Sequence, residues 1–294
     1  MRWLLLIPLL YGTNLSAEPV YTAEKEIRRN LSPDVTEASG LAVSPTNPNF
    51  LWIINDSGNG NTVHLTGIEG EDRGAITIKG VRNRDWEDLA AFTLNGLPYL
   101  LIADTGDNSS RRSSVFLYII REPKLPAAGK AIQGESQIAW SMEFTFEGGP
   151  RDCEAVAVDV KAGKILLLTK RTTPPELHEL PLRPAGKGLQ VTKKIGTMRT
   201  IAPVFRLLPY GNQPTGMDIS ADGLLMAINT YSGVFLLSRD KTIDWQEASM
   251  RQPNWLGVHQ LAQAESIAIS PDKKTIFLTS EGKKQPLVRF VSGK

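Results

Sequence analysis

The stretch Glu87-Asp88-Leu89-Ala90-Ala91-Phe92, with the apolar run Leu100 to Ala103 after it, is one copy of a pattern that recurs along this chain. The other copies begin Ser39-Gly40-Leu41, Glu154-Ala155-Val156, Thr215-Gly216-Met217 and Glu265-Ser266-Ile267, each followed by its own apolar run. Short apolar segments of this kind, bounded by Gly, Pro, Asn and Asp, predict paired β-strands. Five such units, roughly 50 to 65 residues apart, are typical of propeller blades with extra length in their loops.

Further strands complete most of these units. Each unit has a third strand, such as Thr62 to Ile68, and the first four are followed by a fourth. The last unit lacks a fourth strand, so we expect Lys25 to Leu31 to pair with Pro286 to Val291 and close the ring. We predict an all-β fold, a β-propeller of five four-stranded blades, with six blades as the alternative if 183–212 hides another. The Pro- and Gly-rich segment Pro123 to Gly134 is predicted to be a surface loop.

Composition and charge limit the partners that this chain can have. It has 294 residues, of which 41% are hydrophobic and 22% charged, and its net charge is +2. This small net charge, with scattered Lys and Arg, argues against nucleic acid and against a membrane surface as partners. We expect a monomer with no membrane span, which could hold a small-molecule or anionic ligand in its channel.

The N-terminus has the pattern of a secretory signal peptide. Arg2 precedes the apolar run Trp3 to Tyr11, and Leu15-Ser16-Ala17 resembles a cleavage site. The apolar run is too short to span a bilayer. We therefore expect a signal peptide at 1–17, a single propeller domain at 18–294, and a periplasmic or secreted protein.

Acidic residues should meet at one end of the channel. In a blade, the start of the innermost strand lies beside the end of its antiparallel neighbour. The strand starts include Glu87, Glu154 and Glu265, and the neighbouring strand ends include Asp56 and Asp104. Converging carboxylates repel one another unless a cation, protons or basic side chains neutralise them. Because all these donors are hard oxygens, we predict that the five residues bind a metal ion, Ca²⁺ rather than Zn²⁺.

Basic residues lie at the same end and leave the activity open. Lys170 and Arg171 occupy, in the third unit, the place that acidic residues hold elsewhere. Together with Glu87 and Glu154 they are the catalytic candidates for a Ca²⁺-dependent hydrolase of a phosphate or carboxylate ester. Alternatively they neutralise the glutamates, and the protein is a binding or scaffold module with a structural ion.

Two units share a longer signature, Arg84-Asp85-Trp86-Glu87 and Arg151-Asp152-Cys153-Glu154. Its Arg-Asp part is either functional or a structural turn in which the Asp accepts backbone hydrogen bonds.

The motifs Glu37-Ala38-Ser39-Gly40-Leu41-Ala42, Asn55-Asp56-Ser57-Gly58, Asp85-Trp86-Glu87-Asp88-Leu89-Ala90 and Asp104-Thr105-Gly106-Asp107-Asn108 together resemble a family pattern. They are similar to motifs of exported bacterial propellers and, more loosely, of the phytase-like (esterase-like) and SdiA-regulated propeller families. The resemblance implies a propeller with calcium-binding acidic residues facing the channel. Phytase-type relatives would add phosphate-binding basic residues, for which Lys170 and Arg171 are the positional candidates. The chain departs from the pattern in having Asp88 and Ala155 where a glycine would follow the glutamate.

Overall fold

The strands of this protein form five sheets around a common channel. The structure is a computed structural model, and it describes residues 21–23, 31–184, 186–198 and 212–293. In chain order the elements are β1 (Tyr21–Ala23), β2 (Ala38–Val43), β3 (Phe50–Asn55), β4 (Thr62–Gly67), β5 (Asp72–Ile78), β6 (Trp86–Leu94), β7 (Leu97–Asp104), β8 (Val115–Arg121), β9 (Ile132–Ser136), β10 (Ile138–Thr145), β11 (Asp152–Asp159), β12 (Lys164–Lys170), β13 (Glu176–Pro181), β14 (Gln190–Val191), β15 (Lys193–Thr197), β16 (Pro214–Ile219), β17 (Leu225–Thr230), β18 (Gly233–Ser238), α1 (Trp245–Ala248), β19 (Asn254–Gly257), β20 (Ala264–Ile269), β21 (Thr275–Ser280) and β22 (Val288–Ser292).

Each sheet is one blade with a four-stranded antiparallel core. From the channel outward the blades run β2-β3-β4-β5, β6-β7-β8-β10, β11-β12-β13-β15, β16-β17-β18-β19 and β20-β21-β22-β1. The prediction of a five-bladed propeller is confirmed, and the six-blade alternative is wrong. The described part of 183–212 holds β14 and β15, which join the second and third blades instead of forming another one.

An N-terminal strand closes the ring, as the sequence predicts, but it lies earlier in the chain. Tyr21 pairs with Ser292 and Thr22 with Val291, so β1 becomes the outer strand of the last blade. The Tyr21 hydroxyl donates to the Lys273 carbonyl at 2.7 Å and anchors this strand further. Of the predicted segment Lys25 to Leu31, residues 25–30 lie outside the described residues.

Two insertions add a fifth strand to the outer edge of a blade. β9 pairs in parallel with β5, and the two-residue β14 pairs in parallel with β10. The prediction that Pro123 to Gly134 is only a surface loop is therefore wrong at its C-terminal end. Pairing satisfies edge N–H and C=O groups that would otherwise be open to another chain, so these insertions protect the first two blades.

The core lies between the faces of neighbouring blades. Successive side chains of a strand point to opposite faces, so Val156 and Val158 pack against the second blade, whereas Ala155 and Ala157 pack against the fourth. Among the described residues, apolar clusters of this kind fill every boundary between adjacent blades, including that between the fifth and the first. In this part of the chain, no helix is long and apolar enough to cross a membrane.

Candidate metal centre

A β-bulge falls at the same position in all five inner strands. The register of each inner strand against its neighbour skips one residue there, and the skipped residues are Ser39, Glu87, Glu154, Thr215 and Glu265. A bulge bends its strand and re-aims the side chain of the extra residue. The same five residues begin the sequence repeats, and they surround one end of the channel, called the acidic end below.

The strand ends lie where the sequence predicts them. Trp86 pairs with Asp104, Asp152 with Lys170, and Ala38 with Asn55. The start of each inner strand and the end of its neighbour therefore meet at the acidic end.

Hydroxyl side chains at this end join neighbouring blades. Each donates to a carbonyl at the start of the next inner strand: Ser39 to Trp86 at 2.7 Å, Thr105 to Cys153 at 2.7 Å, Thr215 to Ala264 at 2.7 Å and Ser266 to Ala38 at 3.1 Å. The two repeat starts that are not acidic, Ser39 and Thr215, thus hold the ring together.

Five carboxylates gather at the acidic end, and we call Asp56, Asp85, Glu87, Asp152 and Glu154 the acidic cluster. They form two overlapping triads, Asp56–Asp85–Glu87 and Glu87–Asp152–Glu154. Within each triad, one oxygen from every side chain lies within 4.8 Å of the others. Glu87 belongs to both triads and is the centre of the cluster.

Glu87 is buried among charges of its own sign. Glu87 is only 4% exposed, and among the described residues no basic side chain forms an ion pair with it. Burial raises the pKa of Glu87 well above its usual value, and the carboxylates of Glu154, Asp56 and Asp85 raise it further. A buried carboxylate in this setting either holds a proton or needs a cation.

Burial raises the pKa of both aspartates in the first triad. Burial raises the pKa of Asp56 to about 6, against the hydrogen bond from the Ser57 amide. Burial also raises the pKa of Asp85, and the positive charge of the Arg112 guanidinium offsets only part of this rise. None of these carboxylates forms an ion pair with a side chain in the described part of the chain.

The other two carboxylates of the second triad, Asp152 and Glu154, are by contrast paired with basic side chains. Arg171 Nε donates to Asp152 Oδ2 at 2.7 Å. The Lys170 ammonium, itself 5% exposed, bonds to the Glu154 carboxylate and lies 3.7 Å from Glu265 Oε1. Burial lowers the pKa of Lys170, but the two glutamates outweigh it and raise the pKa above its usual range. Lys170 therefore stays charged.

Tyr231 extends this ion-pair network to the fifth blade. Its hydroxyl bonds to the Glu265 carboxylate and lies 3.0 Å from Lys170 Nζ. Burial and the neighbouring Glu265 raise the pKa of Glu281 to about 9.

Asp104 lies at the same end but is held by a different partner. Arg112 Nη2 donates to Asp104 Oδ1 at 2.7 Å, and both side chains are almost fully buried. Arg112 also donates to the Gly106 carbonyl at 2.8 Å, and its amide donates to Asp107. This arginine fixes the loop that follows β7.

Two residues shape the space around the first triad. The Asn83 amide donates to the carbonyls of Asn55 and Asp56 at 2.9 and 2.8 Å, and its oxygen accepts from the Trp86 amide. It thereby joins the two segments that carry the triad. A Cβ at Gly106 would lie 2.1 Å from Glu87 Oε1 and 2.5 Å from Asp85 Oδ2. Only a glycine leaves room there for both carboxylates.

The structure brings together most, but not all, of the predicted metal ligands. Glu87, Glu154 and Asp56 belong to the acidic cluster, Glu265 joins it through Lys170, and Asp104 is bound to Arg112. Sequence reasoning missed Asp85 and Asp152 as members. The signal was present, because both belong to the repeated Arg-Asp-x-Glu signature, two residues before a glutamate.

Two more carboxylates, the buried Asp88 and the half-buried Asp218, lie on inner strands beyond the cluster. Asp88 accepts hydrogen bonds from the amides of Leu89, Val156 and Met217, in three different blades. Asp218 accepts from Ile219 and Ile269 at 2.7 Å each. Burial raises the pKa of both, that of Asp218 to about 7. Their role as links between inner strands was not foreseen from the sequence.

The donors of the first triad fit a hard divalent cation. All three are carboxylates, and neither His nor Cys is near enough to join either triad among the described residues. Calcium takes six to eight oxygen ligands in irregular geometry, whereas magnesium prefers a strict octahedron. The three carboxylates come from two separate segments, the loop after β3 and the start of β6, and this arrangement matches the looser geometry that calcium accepts.

Comparison with known proteins supports the fold. No protein-family model and no curated protein matches the chain. A solved structure that it resembles is the PQQ-bound aldose sugar dehydrogenase from Streptomyces coelicolor, with a TM-score of 0.54 and 10% identity over 94% of this chain and 99% of that one. At this identity the likeness shows a β-propeller and nothing about activity.

Two other solved structures are less similar. Hydrazine synthase from Kuenenia stuttgartiensis has a TM-score of 0.43 and 13% identity over 87% of this chain and 71% of that one. Raptor from Chaetomium thermophilum has a TM-score of 0.48 and 10% identity over 94% of this chain and 29% of that one. Neither likeness is close enough to carry an argument.

Proposed function

We propose that this protein is a divalent-cation-binding β-propeller whose ion, Ca²⁺, is held by Asp56, Asp85 and Glu87. The observation that carries the proposal is Glu87, a buried carboxylate with two others close by and, among the described residues, no basic side chain paired to it. Asp152 and Glu154 are less suitable ligands, because Arg171 and Lys170 are already paired with them. The resemblance to phytase-like propellers supports the same ion.

Calcium titration by calorimetry, after treatment with a chelator, tests this proposal. We expect saturable binding of one strongly held ion, weaker binding of Mg²⁺, and loss of the calcium signal in Asp85→Asn. Glu135→Gln is a matched control, because Glu135 is an exposed carboxylate on β9, paired with the exposed Lys79 at the outer edge of the first blade. Equal calcium binding by wild type and Asp85→Asn would show that the triad is not the site.

A second candidate function is hydrolysis of a phosphate or carboxylate ester at the same end. It is favoured by Glu154, a buried carboxylate whose pKa burial raises above its usual value against the pairing with Lys170, as suits a general base. Arg171 keeps 39% of its side chain exposed, so it is available to an anionic substrate. A bound cation would supply Lewis-acid chemistry.

A panel of phosphomonoesters, nucleotides, lactones and aryl esters, assayed with calcium and with chelator, separates the two functions. Calcium-dependent turnover that falls in Glu154→Gln would support a hydrolase. No turnover of any class would leave a binding module with a structural ion.

We also propose that residues 1–17 are removed on export and that 18–294 form the mature domain. Mass spectrometry of the protein from the native cell envelope tests this: the mature chain should begin at Glu18. A chain that keeps Met1 in the cytoplasm would exclude export.

A further inference from the structure

The end of the channel opposite the acidic cluster holds a cavity of about 330 Å³. Its walls come from the C-terminal ends of the inner strands of all five blades, for example Val43, Phe92, Val158 and Ile219. Phe92 lies five positions after Glu87 on the same strand, so the two ends lie roughly 16 Å apart. We call this space the far cavity.

The far cavity does not continue into the acidic end. Between them the Asp88 carboxylate reaches from the second blade to amides of the third and fourth. On the first blade, a Cβ at Gly40 would lie 2.5 Å from the Leu89 nitrogen, so the inner strands touch there. The far cavity is therefore a second, separate site.

The walls of the far cavity combine apolar and polar surface in nearly equal parts, with one acidic group among them. Val43, Phe92, Ile219 and Ile269 provide aliphatic and aromatic surface. Asp218 lines the same space and keeps part of its surface accessible there. Small-molecule sites pair apolar wall with placed polar groups, and the volume of the far cavity is at the lower end of their common range.

Asp218 has capacity for a further partner. It accepts two backbone hydrogen bonds, from Ile219 and Ile269, whereas an ionised carboxylate offers about four acceptor positions. Among the described residues, no basic side chain forms an ion pair with it; Lys161 lines the cavity but is exposed on a turn. Removing a carboxylate or an ammonium group from water is costly unless the two groups pair with each other. An enclosed carboxylate without a counter-ion therefore favours a cationic ligand.

We propose that the far cavity binds a small organic amine, with its ammonium group on Asp218 and its apolar body against Phe92 and Ile219. This site is independent of the proposed calcium site and goes beyond it. Neutral molecules of the same shape would fill the apolar part but leave the carboxylate without a counter-ion, so charge is the basis of selection.

Benzylamine and its neutral isostere benzyl alcohol are suitable probes, measured by ligand-observed NMR titration in the presence of calcium. We expect saturable binding of benzylamine at millimolar concentrations and binding of benzyl alcohol weaker by roughly tenfold or more. Asp218→Asn should remove this preference. Thr93→Trp should block both ligands, because Thr93 is an exposed residue that lines the cavity; this variant disturbs no buried contact, so it remains informative if Asp218→Asn folds poorly.

Benzylamine is itself a cation, so the acidic cluster needs a control. Glu87→Gln should bind benzylamine as the wild type does, and calcium should not displace it. Equal affinities of the two probes for the wild type, no saturable benzylamine binding, or unchanged binding in Thr93→Trp would each overturn the proposal. So would displacement of benzylamine by calcium.

Discussion

Replacing Glu87 with Gln should raise the stability of the metal-free protein and remove most of its response to calcium. The substitution keeps the shape of the side chain and replaces an acid that, without a cation, must either carry a buried charge or take up a proton to avoid it. In the wild type, that charge is surrounded by Asp56, Asp85, Asp152 and Glu154, and no basic side chain is paired to it in the described part of the chain. Neutral Gln relieves this repulsion.

The expected change in the free energy of unfolding follows from the burial of Glu87, which is 4% exposed. A buried polar group left without a partner costs about 1–3 kcal/mol, and more if it is charged. Glu87→Gln should therefore raise the melting temperature in chelator by about 2–6 °C for a domain of this size. Calcium at a hundredfold excess over Kd should stabilise the wild type by about 2.7 kcal/mol. The variant should gain much less.

Scanning calorimetry near neutral pH, in chelator and in saturating calcium, measures both effects. The order of melting temperatures should depend on calcium: the variant melts higher in chelator, and calcium raises only the wild type strongly. Glu135→Gln, which removes an exposed carboxylate of the same type at the outer edge of the first blade, should respond to calcium as the wild type does. A variant that melts lower than the wild type in chelator, or that responds equally to calcium, would refute the reasoning.

Three further predictions concern the surroundings of the site and the closure of the ring. Gly106→Ala should weaken calcium binding at least about tenfold in calorimetry, because its Cβ would lie 2.1 Å from Glu87 Oε1; unchanged affinity would contradict this geometry. Arg112→Met should destabilise the protein by about 3–5 kcal/mol in urea unfolding, because it leaves Asp104 buried without its partner; an unchanged midpoint would contradict that role. Deleting residues 1–23 should expose the edge of β22 and lower the melting temperature; an unchanged temperature would show that β1 is not needed for closure.

The repeat made the propeller predictable because strand pairing within a blade is local. Each inner strand and its neighbour are joined by a short turn, so Trp86 and Asp104 must meet once the hairpin forms. The same argument placed Glu87, Glu154 and Glu265 at one end. Parallel pairing of β9 with β5 was not predictable in this way, because it joins segments far apart in the chain.

The charge pairing at the acidic end was only partly predictable. The sequence placed Lys170 and Arg171 beside the glutamates but left open whether they bind a substrate or neutralise them. In the structure, Lys170 lies between Glu154 and Glu265. This pairing depends on distances in three dimensions, which the sequence does not give. Asp85 was left out of the predicted ligands because an Arg-Asp pair is also common in structural turns; its closeness to Asp56 depends on how two blades meet.

The most direct test of the calcium site is a crystal structure of the protein soaked with Mn²⁺ as a substitute for calcium, with anomalous difference maps. The account predicts a strong peak coordinated by carboxylate oxygens of Asp56, Asp85 and Glu87, and removal of that peak by competing calcium. A map with no peak at these three residues, or with the ion bound only elsewhere, would contradict it.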